Sequence, residues 1–322
     1  MKKTLNLLIL LSLAFVSCKD DSSDWEDNNT NPRMITFSVL GNNQKGTSIT
    51  NDNFEHFNIY AYHHNAPTNA DNISSITTEM YDYLVSKSSN LWDYQTTEQP
   101  GIAWPDNGFM SFFGVSTNDA TGPSGLLEWN DLNKTGNEIS FPSFTYKVAD
   151  SIADQKDLVV AFALDKTSND INTADRLSLK FKHVLTQINI SLRGDPQNFI
   201  FTIKDIWIEG VINQGSFTYS NTGGSWTTSL NIKDTVNYSY FSSEAGVEIV
   251  GKNYVSFGDA DNNNALMLIP QTFSGRIKIK YDVRNPGNQQ QQFNLVETKD
   301  YQNNNTIWNP GSKIRYNIII PK

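Results

Sequence analysis

The stretch Leu177–Leu192, LSLKFKHVLTQINISL, decides the fold. Leu177, Leu179 and Phe181 alternate with Ser178, Lys180 and Lys182, the period of two that marks a half-buried strand. Ile188, Ile190 and Leu192 then take the opposite parity. A slip of one residue moves every side chain to the other face, so a bulge or a change of sheet is expected between Lys182 and Gln187. A domain boundary is placed there, near residue 185, separating residues 34–185 from 186–322.

The same period recurs on both sides of this switch. Ile35, Phe37 and Val39 alternate with Thr36 and Ser38, and Phe57, Ile59 and Ala61 with Asn58, Tyr60 and Tyr62. Ile277, Ile279, Tyr281 and Val283 alternate with Lys278, Lys280 and Asp282, and Ile314, Tyr316, Ile318 and Ile320 follow near the C-terminus. The continuous apolar run Leu158–Leu164 predicts a strand covered on both faces. Only Ser74–Ser89 carries a weak helical reading, through Ile76, Met80 and Leu84. Pro105-Asp106-Asn107-Gly108, Asn221-Thr222-Gly223-Gly224, Asn285-Pro286-Gly287 and Asn309-Pro310-Gly311 are strong turn formers. Strands joined by short polar turns, with no long helix between them, predict an all-β chain of packed antiparallel sheets.

Composition agrees with that class. The 322 residues include 25 Lys+Arg against 34 Asp+Glu, a net charge of -9, with 38% hydrophobic and 12% aromatic residues. Such a balance argues against nucleic acid as a partner, since that requires a basic surface, and the aromatic content argues against general disorder.

The N-terminus sets the compartment. Lys2 and Lys3 precede an apolar stretch, Leu5–Val16, that is too short to span a bilayer stably. It ends at Ser17-Cys18, and Cys18 is the only cysteine, so neither an internal disulfide nor a CxxC metal site exists. Phe15-Val16-Ser17-Cys18 resembles a bacterial lipobox, which makes residues 1–17 a lipoprotein signal peptide and Cys18 the lipidated residue. Several acyl chains on one cysteine give stable anchoring. Removing residues 1–17, which hold two lysines and no acid, takes the net charge from -9 to -11. Residues 18–33 are acidic and rich in Ser, Asn and Thr, the composition of a solvated tether. Within it, Lys19-Asp20-Asp21 resembles the export signal of Bacteroidetes surface lipoproteins, with a plain acidic linker as the other reading.

Several segments together are similar to the fimbrillin family, the type V pilins and related lipoproteins of Bacteroidetes. They are Ile35-Thr36-Phe37, FNIYAY at 57–62, Trp92-Asp93-Tyr94, Trp104-Pro105, FMSFFG at 109–114, LSLKFKHVLTQI at 177–188, ALMLIPQTF at 265–273 and WNPGSKIRYNI at 308–318. The resemblance implies two tandem β-sandwich domains of transthyretin-like topology and a structural or adhesive role in surface fimbriae. It also implies a protease that cuts after arginine, removal of the first strand, and partners that are other pilus subunits joined by strand addition to the open sheet edge. Arg33 is the candidate processing site. No arginine lies between it and Arg176, and Lys45-Gly46-Thr47-Ser48 stands where the family usually has one. A cut at Arg33 would release the tether and leave the Met34–Leu40 strand in place. The sequence stops at Pro321-Lys322 after the last strand, which predicts a tip-like subunit or a stand-alone surface protein rather than a shaft pilin.

Candidate chemistry is sparse. His63-His64 are strand neighbours pointing to opposite faces, a poor arrangement for one shared ion, and His183 reads as a hydrogen-bonded structural imidazole. Asp259-Ala260-Asp261-Asn262-Asn263 opens like a calcium loop, but Asn264 stands at the glycine position and Pro270 at the bidentate acid. No G-x-S-x-G, H-E-x-x-H or P-loop occurs, so neither a cofactor nor an enzyme activity is expected. Asp150-Ser151-Ile152 and Asp234-Thr235-Val236 resemble the acceptor of Bacteroidetes O-glycosylation, making Ser151 and Thr235 candidate sites. The leading reading is a non-enzymatic outer-membrane surface lipoprotein of the fimbrillin type. The alternative is a glycan-binding surface lipoprotein using exposed aromatics, with host or bacterial surface glycans or proteins as partners.

Overall fold

The computed structural model describes all residues except 1–31, 41–48, 51, 90, 97, 137, 229–234, 258–264, 288–290 and 301–305. Apart from a 3-10 turn at Ile152–Asp154, the regular structure described is β. An eight-stranded sheet runs in the order β11 (Leu177–Lys180), β1 (Phe37–Leu40), β4 (Leu91–Asp93), β3 (Ile76–Ser88), β2 (His56–His64), β5 (Phe109–Ser116), β10 (Val159–Lys166) and β12 (Lys182–His183). Its two edge strands, β11 and β12, are separated in sequence by Phe181 alone. One short segment therefore closes the sheet on itself, pairing with β1 on one side and β10 on the other. Phe181 sits at the seam, with ring centroids 4.9 Å from Phe54 and 5.0 Å from Phe57. A Cβ on Gly114 of β5 would come within 2.9 Å of the Phe181 ring, so glycine is what lets the ring close the barrel.

Ile35, Phe37, Phe57, Ile59, Phe112, Ala161, Leu179 and Phe181 fill the interior. The outer faces of β2, β5 and β10 are also covered. Tyr60, Tyr62, Phe113, Val115 and Val160 belong to a second core shared with the rest of the chain. This is why Leu158–Leu164 reads as an unbroken apolar run, and why Asn58, Tyr60 and Tyr62, expected on a half-buried strand, are buried as well.

The chain leaves this sheet where the parity switches. β12 ends at His183, and β13 (Thr186–Asp195) belongs to a different sheet, in which it lies between β18 (Val255–Ser256) and β19 (Leu266–Leu268) on one side and β24 (Lys313–Pro321) on the other. Another sheet has the order β17 (Thr235–Val250), β14 (Ile200–Ile212), β21 (Arg276–Arg284) and β22 (Gln291–Asp300). Ile188, Ile190 and Leu192 meet Ile203, Ile206, Ile277 and Ile279 in the second core. Gly311, at φ +69 in the Asn309-Pro310-Gly311 turn, donates its N–H to Leu185 and pins the crossing.

A further sheet takes strands from both sides of residue 185, in the order β16 (Gly223–Thr228), β15 (Gln214–Ser220), β9 (Ser143–Lys147) and β6 (Leu126–Asn130). Two small pairs complete the set, β20 (Thr272–Phe273) with β23 (Thr306–Ile307) and β7 (Asn133–Thr135) with β8 (Glu138–Ser140).

One expectation needs correction. Ser74–Ser89 is not helical, because its Thr, Ile and Tyr residues form β3 along β2. Register shifts flank Ala61 in that pairing, and they send Ile76 to the outer core and Met80 into the barrel. Their spacing is what gives this segment its helix-like stripe in the sequence. The sheets are antiparallel as expected, with two parallel pairings among the described strands: β1 with β11, and β13 with β24.

Candidate functional site

The site of interest is the seat of the first strand. β1 lies between β11, with Phe37 opposite Leu177, and β4, with Phe37 opposite Trp92. Phe37 is fully buried and packs edge-on against Phe57 and Phe112 at centroid distances of 5.9 and 6.0 Å. The residues before the strand are held as well. Ile35 N–H donates to the Ile102 carbonyl at 2.8 Å, and the Arg33 carbonyl accepts from Trp104 N–H at 2.9 Å. Tyr94 joins both segments, donating its hydroxyl to the Ile35 carbonyl at 2.9 Å and accepting from Ile102 N–H at 3.2 Å. Burial pushes the Tyr94 phenol up, so it stays a protonated donor.

On the other side, Leu177 N–H donates to the Thr36 carbonyl at 2.9 Å, and the Thr36 hydroxyl donates to the Asp175 carbonyl at 2.9 Å. Asn172 donates to the hydroxyls of Ser38 at 3.0 Å and Ser178 at 3.2 Å. Arg33 is tied to the same loop through Asp175 Oδ1 at 2.5 Å and the Ser168 carbonyl at 3.0 Å. Emptying this seat would break the ladder to two neighbours and expose Ile35 and Phe37. Each such side chain is worth about 1.5–3 kcal/mol of burial.

Among the candidate processing, lipidation, export and glycosylation residues, Arg33 alone lies at this seat. Cys18, Lys19, Asp20, Asp21, Lys45 and the Asp259–Asn263 segment fall outside the described residues. Ser151 is exposed at the start of the 3-10 turn, and Thr235 begins β17. The neighbours Asp150 and Val236 border a common groove, so the two candidate acceptors, distant in sequence, lie near one feature.

The histidines are structural. His63 Nε2 bonds the Asn107 carbonyl at 2.8 Å. His64, fully buried, uses Nδ1 on the Ala66 carbonyl at 2.7 Å and Nε2 on the Ser111 hydroxyl at 2.9 Å. Ser111 is equally buried, so this serine–histidine pair has no access to a substrate. Burial holds the His64 imidazole below its usual value, although the Ala66 hydrogen bond and Asp165 act in the other direction. His183 Nδ1 pairs with Asp157 Oδ2 at 2.7 Å, and that same oxygen accepts from Ile49 N–H at 2.9 Å. Tryptophans are mostly packed: Trp308 and Trp104 are buried, and Trp129 stacks on Tyr60 at 3.6 Å. Trp25 falls outside the described residues.

Sequence reasoning missed Tyr94, Asn172 and Asp175 as holders of the first strand. Asp175 has a φ of +59, but no sequence signal ties it to Arg33, 142 positions away.

Comparison with known proteins adds the family. No curated protein matches the chain. Similar solved structures include a candidate cell adhesion protein from Bacteroides uniformis, at 14% identity and a TM-score of 0.47, covering 90% of this chain and 93% of that one. The fimbrial anchor protein Mfa2 from Porphyromonas gingivalis is similar at 13% identity and a TM-score of 0.35, covering 89% and 90%. Candidate polysaccharide-binding proteins from Bacteroides thetaiotaomicron are similar at 10% identity and a TM-score of 0.34, covering 83% of each chain. The sequence itself matches the fimbrillin-like family over residues 41–322, and the chain belongs to that family.

Proposed function

We propose that this fimbrillin-like protein is a non-enzymatic cell-surface subunit, anchored in the outer membrane through a lipid on Cys18 and exported by Lys19-Asp20-Asp21. It acts as a terminal fimbrial component associated with other fimbrial subunits, or as a free-standing adhesin, and does not build a shaft by itself. Residues 34–185 and 186–322 are its two β domains, joined through the sheet that pairs β9 with β15, after a signal peptide at 1–17 and a tether at 18–33. The change of sheet between His183 and Thr186 supports that division.

The observation that carries the proposal is the seat of β1. A shaft pilin must vacate a groove and donate a strand. Here Arg33 precedes the seated strand, so cutting after it leaves β1 paired with β11 and β4. β24 is engaged too: it pairs with β13 from Lys313 to Pro321 and buries Tyr316, Ile318 and Ile320. Giving it to a neighbour would open the donor's own core. The test is chemical cross-linking on intact cells followed by mass spectrometry. Cross-links to other fimbrial subunits, with the chain on the outer surface, are expected; a chain confined to the periplasm with no such partner would refute the proposal.

A further inference from the structure

The segment that holds the entry to β1 continues into a turn, Pro105-Asp106-Asn107-Gly108, which contains the one Asn-Gly step of the sequence. The fold explains the glycine. Gly108 has a φ of +83, and a Cβ there would come within 2.6 Å of both His63 Nε2 and the His64 carbonyl oxygen. The asparagine is not constrained in this way. Asn107 is exposed, and its side-chain amide makes no hydrogen bond among the described residues. The Gly108 N–H is equally without a described partner. The main-chain carbonyl of Asn107, in contrast, is bonded to His63 Nε2 at 2.8 Å. A carbonyl can only accept, so this imidazole carries a proton on Nε2. A free side-chain amide, a free neighbouring peptide nitrogen and a fixed donor on the carbonyl between them therefore meet at one turn.

We infer that Asn107 is a site of spontaneous covalent modification, at which its side-chain amide is exchanged for a carboxylate with assistance from His63. Loss of the Gly108 N–H proton to hydroxide leaves an amidate whose charge is shared with the Asn107 carbonyl oxygen through the resonance of the peptide bond. The His63 Nε2–H donates to that oxygen, and a hydrogen bond to the charged form favours that form. The Gly108 nitrogen attacks Cγ of Asn107. The new C–N bond closes a succinimide ring, and the side-chain nitrogen leaves as ammonia, taking its proton from water and returning the hydroxide. Water then opens the ring at either carbonyl, giving aspartate, or isoaspartate with the main chain running through Cβ and Cγ. The balance is one water consumed and one ammonia released, with no oxidant, reductant or cofactor. Glycine suits this step because no side chain crowds the attacking nitrogen. His63 holds its bond only in the folded chain, so the fold promotes the reaction instead of shielding the amide. The product adds a negative charge beside Asp106, on the rim of a hollow that Glu79 also lines. In its isoaspartate form the turn is longer by a methylene, just after Trp104, whose N–H holds the Arg33 carbonyl.

Storage of the purified mature protein, folded and in mildly alkaline buffer, followed by proteolysis in mild acid and fragmentation mass spectrometry, tests this. Asn107 should convert several-fold faster than any other asparagine, giving both aspartate and isoaspartate at position 107. His63→Phe keeps a ring of similar size but lacks the donor, and should slow the conversion several-fold. Unfolding the parent protein in urea should slow it as well, a comparison that needs no variant. An Asn107 that stays intact in the folded protein, or converts no faster than the other asparagines, would overturn the inference. So would a rate that His63→Phe leaves unchanged or that urea raises. None of these outcomes touches the fimbrial reading, which rests on the β1 seat.

Discussion

Phe37 and Leu177 are register partners in one of the two parallel strand pairs among the described residues, and both are buried in the barrel. Their pairing joins the first strand to the segment that closes the eight-stranded sheet, so the N-terminal strand and the barrel seam depend on each other. Truncating Phe37 removes a ring that packs against Phe57, Tyr94 and Phe112. Phe37→Ala should cost about 3–5 kcal/mol, read as a lowered midpoint in denaturant melts. A midpoint within error of the parent would mean that β1 does not occupy its seat in solution.

The seam makes a second, separable demand. Phe181→Ala should likewise cost about 3–5 kcal/mol, while Gly114→Val should fail for the opposite reason, by forcing a side chain into the Phe181 ring. Combining the two should cost less than their sum, because the smaller residue at 181 relieves the clash at 114. Strict additivity in thermal or chemical melts would contradict the contact.

These positions also mark what was legible in the sequence. The parity flip between Phe181 and Ile188 pointed to the change of sheet because both flanking strands keep an apolar face, and Phe181, Ile188, Leu268 and Ile318 are all buried. β3 was not legible, since register shifts beside Ala61 break its period into helix-like spacings. The two parallel pairings were hidden because strand direction leaves no mark on alternation. Arg33 could be singled out by residue type. Its tie to Asp175 could not, because neither exposed charge carries a periodic signal.

Stability should fall with acid in a way that traces to His64. Its folded-state pKa lies below the unfolded value of about 6.5, so on acidification the unfolded chain takes up the proton first. The stabilisation is therefore complete above about pH 6.5 and is lost as pH drops below it. His64→Gln should be less stable at pH 7.5 but show a flatter decline from pH 7 to pH 5 in urea titrations. Parallel curves for the two proteins would remove His64 as the source.

Anchoring is tested apart from folding. Cys18→Ala should move the protein from the membrane to the soluble fraction, and Asp20→Ala with Asp21→Ala should make it resistant to protease added to whole cells. Unchanged membrane association of the first variant would refute lipidation, and unchanged accessibility of the second would refute the export signal.

The fate of the first strand tests the central claim most directly. The purified mature protein is treated with an arginine-specific protease, its new N-terminus is read by mass spectrometry, and its size is followed by chromatography and electron microscopy. The account predicts a product that begins at Met34, retains the Met34–Leu40 strand and stays monomeric. A product that has lost residues through Leu40, or filaments and SDS-resistant ladders formed from this protein alone, would contradict it.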